Sequence, residues 1–307
     1  MSRIFTGLIL LFVSFCVHSQ DLKKAEDLNK RASQFHQKGD FRSAIEYFSQ
    51  VIEVTSSLKS NSRPNKNSHL STPFDRVEPV RVLDPRTAAA YVNRGNAYFF
   101  LNDLTNAMDD YDRALRISPG LAEAYVCRGT VYLLKKELEK AFAEYERSIR
   151  IDPKFAKGYI GRAMVKMEQG DKVAAFKDLD HAIKVSPKDS EPYFRRGDAR
   201  RATGDAAGAF ADYEQSLKLD PTTAEAYLGR GWLRFAELNY EAALLDFAAA
   251  IAADPRLPEP YMVRGFVLMF QGKDALAEPD FKQAIDRLPK LKDEIAAAVK
   301  MIKSKRK

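Results

Sequence analysis

From residue 88 onward, apolar, small and charged residues recur in one order every 34 residues. With units counted from residues 88, 122, 156, 190, 224 and 258, position 4 is a tyrosine each time: Tyr91, Tyr125, Tyr159, Tyr193, Tyr227 and Tyr261. Position 20 is an alanine from Ala107 to Ala277, and position 24 is Tyr111, Tyr145, Leu179, Tyr213, Phe247 or Phe281. Position 27 is Ala or Ser, and position 32 is a proline from Pro119 to Pro289. The spacings within positions 4–11 and within 20–27 are those of one helix face. Gly170-Asp171, Gly204-Asp205 and Gly272-Lys273 mark a turn between the two faces. Each unit is therefore predicted to be an antiparallel helical hairpin, repeated as a stacked array.

Positions 7 and 8 read Arg-Gly in five units and Arg162-Ala163 in the other. A glycine inside a helix costs about 1 kcal/mol relative to alanine. With a turn near position 15, position 8 stands level with 23 and position 11 with 20. Small residues at 8 and 20 would then let two helix backbones approach, the aromatic at 24 filling the space beside them. Position 23 is acidic throughout: Asp110, Glu144, Asp178, Asp212, Asp246 and Asp280. The register predicts that each arginine braces its hairpin by holding that carboxylate through two parallel hydrogen bonds. The competing reading is a row of anion-binding arginines. Position 11 changes from Phe35, Tyr98 and Tyr132 to Lys166, Arg200, Arg234 and Leu268. Long stems there can cover apolar surface while the charge reaches water, or form a basic binding stripe. Pro279 should withdraw one hydrogen bond from the last second helix and kink it.

This pattern resembles the tetratricopeptide repeat, whose motif has a large residue at 4, small at 8, Ala at 20, aromatic at 24, small at 27 and Pro at 32. The resemblance runs unbroken over 88–289, and an earlier copy fits 25–58 with Leu28, Ala32, Phe35, Gly39-Asp40, Ala44, Phe48 and Val51. The earlier copy has Ser56 in place of the proline, and Tyr47 leaves Arg31 without its acid. The resemblance implies an all-α fold, a right-handed α-solenoid of about seven two-helix units with a C-terminal capping helix. Residues 20–58 form the first unit, 59–87 a flexible Ser-, Asn- and Pro-rich insertion, 88–289 six contiguous units, and 290–307 the cap and a basic tail. Leu291, Ile295, Val299 and Ile302 give the cap one apolar stripe. The first unit is expected to dock on the array, because a lone hairpin could not bury its face.

Arg3 precedes a short apolar run, Ile4 to Val17, and then His18-Ser19-Gln20. About 21 Å of helix falls short of the ~30 Å hydrocarbon core. Residues 1–19 read instead as a secretory signal peptide cleaved after Ser19, with an uncleaved anchor as the alternative. The mature chain would be exported, periplasmic or secreted, with no integral membrane span. Cys16 follows bulky Phe15, which argues against a lipid attachment site, and cleavage would leave Cys127 alone, with no disulfide possible. The formal charge of +7 is concentrated in 59–87 (net +3) and 290–307 (net +5), so the repeats are near neutral and no nucleic-acid partner is expected.

The sequence holds no catalytic constellation, no phosphate-cradling glycine loop and no ligand-spaced set among His18, His36, His69 and His181. No enzyme, cofactor or metal is therefore expected. In the resembling family positions 2, 5, 6, 9, 12 and 13 line a concave face. Here they supply Asn93, Asn96, Val126, Thr130, Met164, Phe194, Arg195, Asp198, Trp232, Phe235 and Phe266. That surface is rich in apolar and aromatic side chains, as protein-binding faces are. It predicts a protein–protein interaction scaffold that takes a peptide or helix in an apolar groove. The alternative is a structural component of the cell envelope that self-associates as a homo-oligomer. The family's clamp for a chaperone tail is matched only at Asn96 and Lys157, not at Val92, Cys127 or Gly161.

Overall fold

A computed structural model of the chain describes the backbone of residues 2–57 and 85–305 and the side chains of 20–57 and 85–305. The predicted insertion at 59–87 lies outside the described residues, except that Pro85, Arg86 and Thr87 open a helix. The side chains of the predicted signal peptide at 1–19 also lie outside them, as do Arg306 and Lys307. Among the described residues there are fifteen helices and no strand. The chain divides into two compact units, Met1–Pro153 and Lys154–Lys307.

The first unit holds three hairpins: α1 (Ser2–Gln37) with α2 (Phe41–Ser57), α3 (Pro85–Phe100) with α4 (Leu104–Ile117), and α5 (Ala122–Leu134) with α6 (Leu138–Ile151). The second holds four: α7 (Ala156–Glu168) with α8 (Lys172–Val185), α9 (Glu191–Thr203) with α10 (Ala206–Leu219), α11 (Ala224–Ala236) with α12 (Tyr240–Ala253), and α13 (Pro258–Phe270) with α14 (Asp274–Arg287). A last helix, α15 (Leu291–Lys305), closes it. The first hairpin docks on the next as expected. Leu28, Val51 and Ile52 pack with Ala90, and Ala32, Ala44 and Phe48 with Ala97. Leu291, Ile295 and Ile302 of α15 are buried against Tyr261, Met269 and Phe281. Helix α14 continues through Pro279, which has no amide to offer the carbonyl of Ala275.

Every hairpin turns at position 15, and every residue there has a left-handed backbone. Four are glycines, and the others are Asn102, Lys136 and Leu238, with φ of 60°, 59° and 60°. The turn satisfies the end of the first helix, since the amide of the next residue donates five residues back, as Asp103 does to Tyr98 at 2.9 Å and Asp171 to Lys166 at 2.9 Å. That next residue then caps the second helix. The Asp103, Asp171, Asp205 and Asn239 side chains accept the amides of Asn106, Ala174, Gly208 and Ala242. Leu238 is 70% exposed, so its side chain contributes little packing. A left-handed backbone costs a side-chain-bearing residue about 1–2 kcal/mol, against the ~0.5–1 kcal/mol glycine loses in entropy. Leu238→Gly is therefore expected to stabilise the second unit by about 0.5–1 kcal/mol. Urea unfolding checks this, and a lower midpoint for the variant would contradict it.

The mid-helix glycines make room for the aromatic side chain at position 24. A methyl on Gly95 would lie 2.6 Å from Cε1 of Tyr111, and one on Gly197 2.8 Å from Cε1 of Tyr213. The ring at position 24 thus lies against the helix that carries the glycine. In the unit where position 24 is Leu179, position 8 is Ala163. The alanines at position 20 are fully buried on the same seam.

Candidate functional site

The row of arginines is the first candidate, and the structure uses it internally. Arg94 donates to both oxygens of Asp110 at 2.7 Å, and Arg264 to both of Asp280 at 2.8 and 2.6 Å. Arg162, Arg196 and Arg230 hold Asp178, Asp212 and Asp246 in the same way, while Arg128 places two nitrogens on one oxygen of Glu144. The guanidinium of Arg94 lies 5.4 Å from the centre of the Tyr91 ring, and Arg128 and Arg230 lie 5.6 Å from those of Tyr125 and Tyr227. The hydrogen bonds to Asp110 hold Arg94 in its charged form against the cost of burial.

The free end of several arginines reaches back one hairpin, to position 25 of the preceding repeat. Arg94 donates to Ser49 at 2.9 Å, Arg128 to Asp112 at 2.6 Å and Arg196 to Asp180 at 2.7 Å. At position 11 the charged heads of Lys166, Arg200 and Arg234 depart from both earlier readings, although the Arg234 guanidinium also lies over the Phe210 ring at 5.7 Å. They turn inward to Asp178, Asp212 and Asp246 at 2.7, 2.9 and 2.8 Å. In these three units one buried carboxylate serves two cations. Burial pushes Asp178 up, but hydrogen bonds from Arg162 and Lys166 more than reverse this and hold it below the ordinary carboxylate value.

The predicted groove residues fall into three groups. Those at position 9 answer the side chain at 24. Tyr111 donates to Asn96 at 2.8 Å and Tyr213 to Asp198 at 2.8 Å, while Tyr145 meets the Thr130 hydroxyl at 3.2 Å. Where position 24 is phenylalanine, position 9 is aromatic: Trp232 meets Phe247 edge-on at 6.2 Å, and Phe266 lies 5.2 Å from Phe281. Met164, 38% exposed, stands opposite Leu179 in the register. A second group holds the residues at positions 5 and 6. Phe194 is only 5% exposed and packs with Tyr213 and Leu217, so it is core and not groove. Asn93 and Val126 are half-buried in the first unit. Arg195 lies over the Phe194 ring at 4.7 Å and reaches Glu191 at 3.6 Å.

The third group does gather. In the second unit Trp232, Phe235 and Phe266 line one hollow of about 170 Å³. Phe247, Val263, Val267 and Phe270 complete its floor and side, and Ala298, Met301 and Ile302 of α15 form the far wall. Every lining residue is apolar. Phe270 is 48% and Met301 52% exposed, so they stand at the rim. Phe235 touches both Trp232, at 5.9 Å, and Phe270, at 5.4 Å. The sequence reading gave α15 a capping stripe only. Ala298 and Met301 lie three positions apart beside that stripe, which is the signal that a second face was in use.

One or two turns nearer the starts of α11 and α13 lies a second hollow, of about 400 Å³. Glu225, Glu259 and Glu294 line it together with Lys290, over Leu228, Met262 and Leu291. Desolvation pushes the Glu259 carboxyl above its ordinary value although part of the residue is at the surface; Arg201 opposes the shift, and Asp198 and Glu294 add to it. Burial likewise raises Asp198, against the pull of the Tyr213 hydroxyl and the charges of Arg195 and Arg201. An acid whose folded pKa is raised binds its proton more tightly folded than unfolded. It therefore costs stability as pH climbs from the ordinary carboxylate value through the raised one. Asp198→Asn, which copies Asn96 at the same position, is expected to be more stable than the wild type at about pH 8 and equal to it at about pH 3. Denaturant unfolding at the two pH values decides, and a variant weaker at pH 8 would refute the assignment.

Among the described residues no group of three or more His, Cys, Asp or Glu could hold a metal ion, and no helix is long and apolar enough to cross a membrane. Profiles of the tetratricopeptide repeat match residues 88–121, 122–155, 160–222 and 194–258, together more than half of the chain. No curated protein matches the chain. Among solved structures it is similar to a tetratricopeptide repeat protein from Parabacteroides merdae, at 19% identity over 91% of this chain and 99% of that one, with a TM-score of 0.57. It is also similar to yeast Tom70, at 15% identity over 86% of this chain and 60% of that one, with a TM-score of 0.61. Identities this low carry the fold alone, an all-α repeat solenoid. Proteins built from this repeat are generally non-catalytic scaffolds that bind other proteins. With hairpins in 34-residue register and profile matches along most of that register, the chain belongs to the tetratricopeptide repeat family.

Proposed function

We propose that this chain is a non-catalytic scaffold whose second unit seats a partner peptide or helix by one large apolar side chain. The observation that carries the reading is the hollow lined by Trp232, Phe235 and Phe266, apolar throughout and open at Phe270 and Met301. Its size of about 170 Å³ suits such a side chain, since an engineered cavity of about 150 Å³ with apolar walls binds benzene. Aromatic and methionine walls adapt to the shape of an anchor, as helix-binding grooves do.

Trp232 is the one tryptophan of the sequence, so its fluorescence reports the hollow directly. Helical peptides with a central phenylalanine are expected to shift that emission on binding. Ala298→Leu fills the hollow from the α15 side and is expected to abolish the shift while leaving the protein folded. Equal binding by wild type and Ala298→Leu would end this reading. A monomer in light scattering would separate it from self-association through the array.

We further propose that the scaffold acts outside the cytoplasm. Arg3 and the apolar run Ile4 to Val17 support export. Intact-mass measurement of the protein recovered from cells tests it, and a mature chain starting before Gln20 would contradict cleavage after Ser19.

A further inference from the structure

The partner's charge can be read from the hollow beside the apolar one. Glu225 and Trp232 are seven residues apart on α11, and Glu259 and Phe266 seven apart on α13, so each pair shares a face with about 10 Å between its members. Glu294 and Ala298 repeat the relation one turn apart on α15. Two parts of one surface result, an acidic end and an apolar end.

The acidic end is under-compensated. Among the described residues, Glu225, Glu259 and Glu294 make no ion pair within 4 Å and no hydrogen bond, and they share their hollow with a single cation, Lys290. Arg201, which opposes Glu259, also serves Asp198. This contrasts with the position-23 carboxylates of the same unit, each held by an arginine. The hollow also has an apolar floor in Leu228, Met262 and Leu291. A lysine or arginine suits such a place, because its stem covers apolar surface while its head meets carboxylates.

We infer that the second unit recognises a basic amphipathic segment of another protein, with a lysine or arginine seated among Glu225, Glu259 and Glu294 and a large apolar side chain in the Trp232 hollow. In a helical partner the two are about seven residues apart. This rests on the proposed peptide-binding reading and adds the sign of the charge and the spacing.

The test uses the full chain and three helical peptides of about twenty residues with a central phenylalanine. Each carries lysine, glutamine or glutamate seven residues to either side of it, which allows either direction of docking. Trp232 emission is followed at low and high salt. The lysine peptide is expected to bind about tenfold tighter than the glutamine peptide at low salt, and the glutamate peptide weakest, with the differences closing at high salt. Glu225→Gln with Glu259→Gln and Glu294→Gln is expected to remove the preference for lysine and keep the binding of the glutamine peptide.

If the three peptides bind alike, the apolar reading stands and the charge inference falls. If none shifts Trp232, both fall together. If Trp232 shifts on self-association without peptide, the groove belongs to a second copy of the chain, and the inference of a separate basic partner is overturned.

Discussion

Asp246→Ala is expected to destabilise the second unit by about 3–5 kcal/mol, because it strands two guanidinium groups whose charge was met by one buried carboxylate. Arg230 and Arg234 both end on Asp246, whose side chain is only 3% exposed. For a unit of this size the loss lowers the unfolding midpoint by about 10 °C. Asp246→Asn is expected to cost nearly as much, since it keeps the volume and removes the charge. Replacing Asp246, Arg230 and Arg234 together by apolar residues of similar length should restore most of the loss, since no charge is then left buried alone. Calorimetry on the set decides. If Asp246→Ala lost less than about 1 kcal/mol, the braces would be worth no more than exposed ion pairs.

The brace at Asp178 adds a pH signature. Its folded pKa lies below the ordinary carboxylate value, so its contribution is complete above that value and lost as pH falls through the lower, folded one. The gap in stability between wild type and Asp178→Asn should therefore close only in acid.

Gly95→Val is expected to destabilise the first unit by about 3 kcal/mol, and Gly95→Ala by about 1 kcal/mol. The would-be Cβ sits 2.6 Å from Tyr111 Cε1, and Tyr111 is 1% exposed with its hydroxyl fixed on Asn96. The ring has nowhere to go, so the gain in helix propensity from alanine, about 1 kcal/mol, is outweighed. Tyr111→Leu should rescue Gly95→Ala, because the pairing of Ala163 with Leu179 is that combination already in use. Chemical denaturation of the single and double variants measures the coupling. A stabilised Gly95→Ala would show that the ring yields easily and that the glycine has another cause.

Much of this architecture is legible from residue order, because a helical hairpin converts spacing into contact. Position 7 and position 23 are sixteen residues apart, which across a tight turn brings them face to face, and Arg94 and Asp110 meet there. The register set position 8 level with 23, and the side chain its glycine meets is the ring at 24, since a turn centre gives the level of two side chains but not the direction of a large one. Lys166, Arg200 and Arg234 were read as surface because each looked unpaired one position at a time. Their partner was a carboxylate already assigned to another arginine.

Phe194 was taken for groove because position 5 borders that face, yet its ring packs inward beside Tyr213. The hollow was half visible. Trp232, Phe235 and Phe266 announce it, but its far wall comes from α15, outside the repeat, where no register predicts which face is presented.

The arginine braces also bear on the order of events as the chain is made. Each ties residues only sixteen apart in sequence, as Arg128 does to Glu144 and Arg196 to Asp212. A brace can thus snap shut as soon as its own second helix has emerged, without waiting for any distant stretch of polypeptide. A molecule threaded out of a ribosome or a pore could settle one hairpin at a time, each finished piece serving as the template for the next.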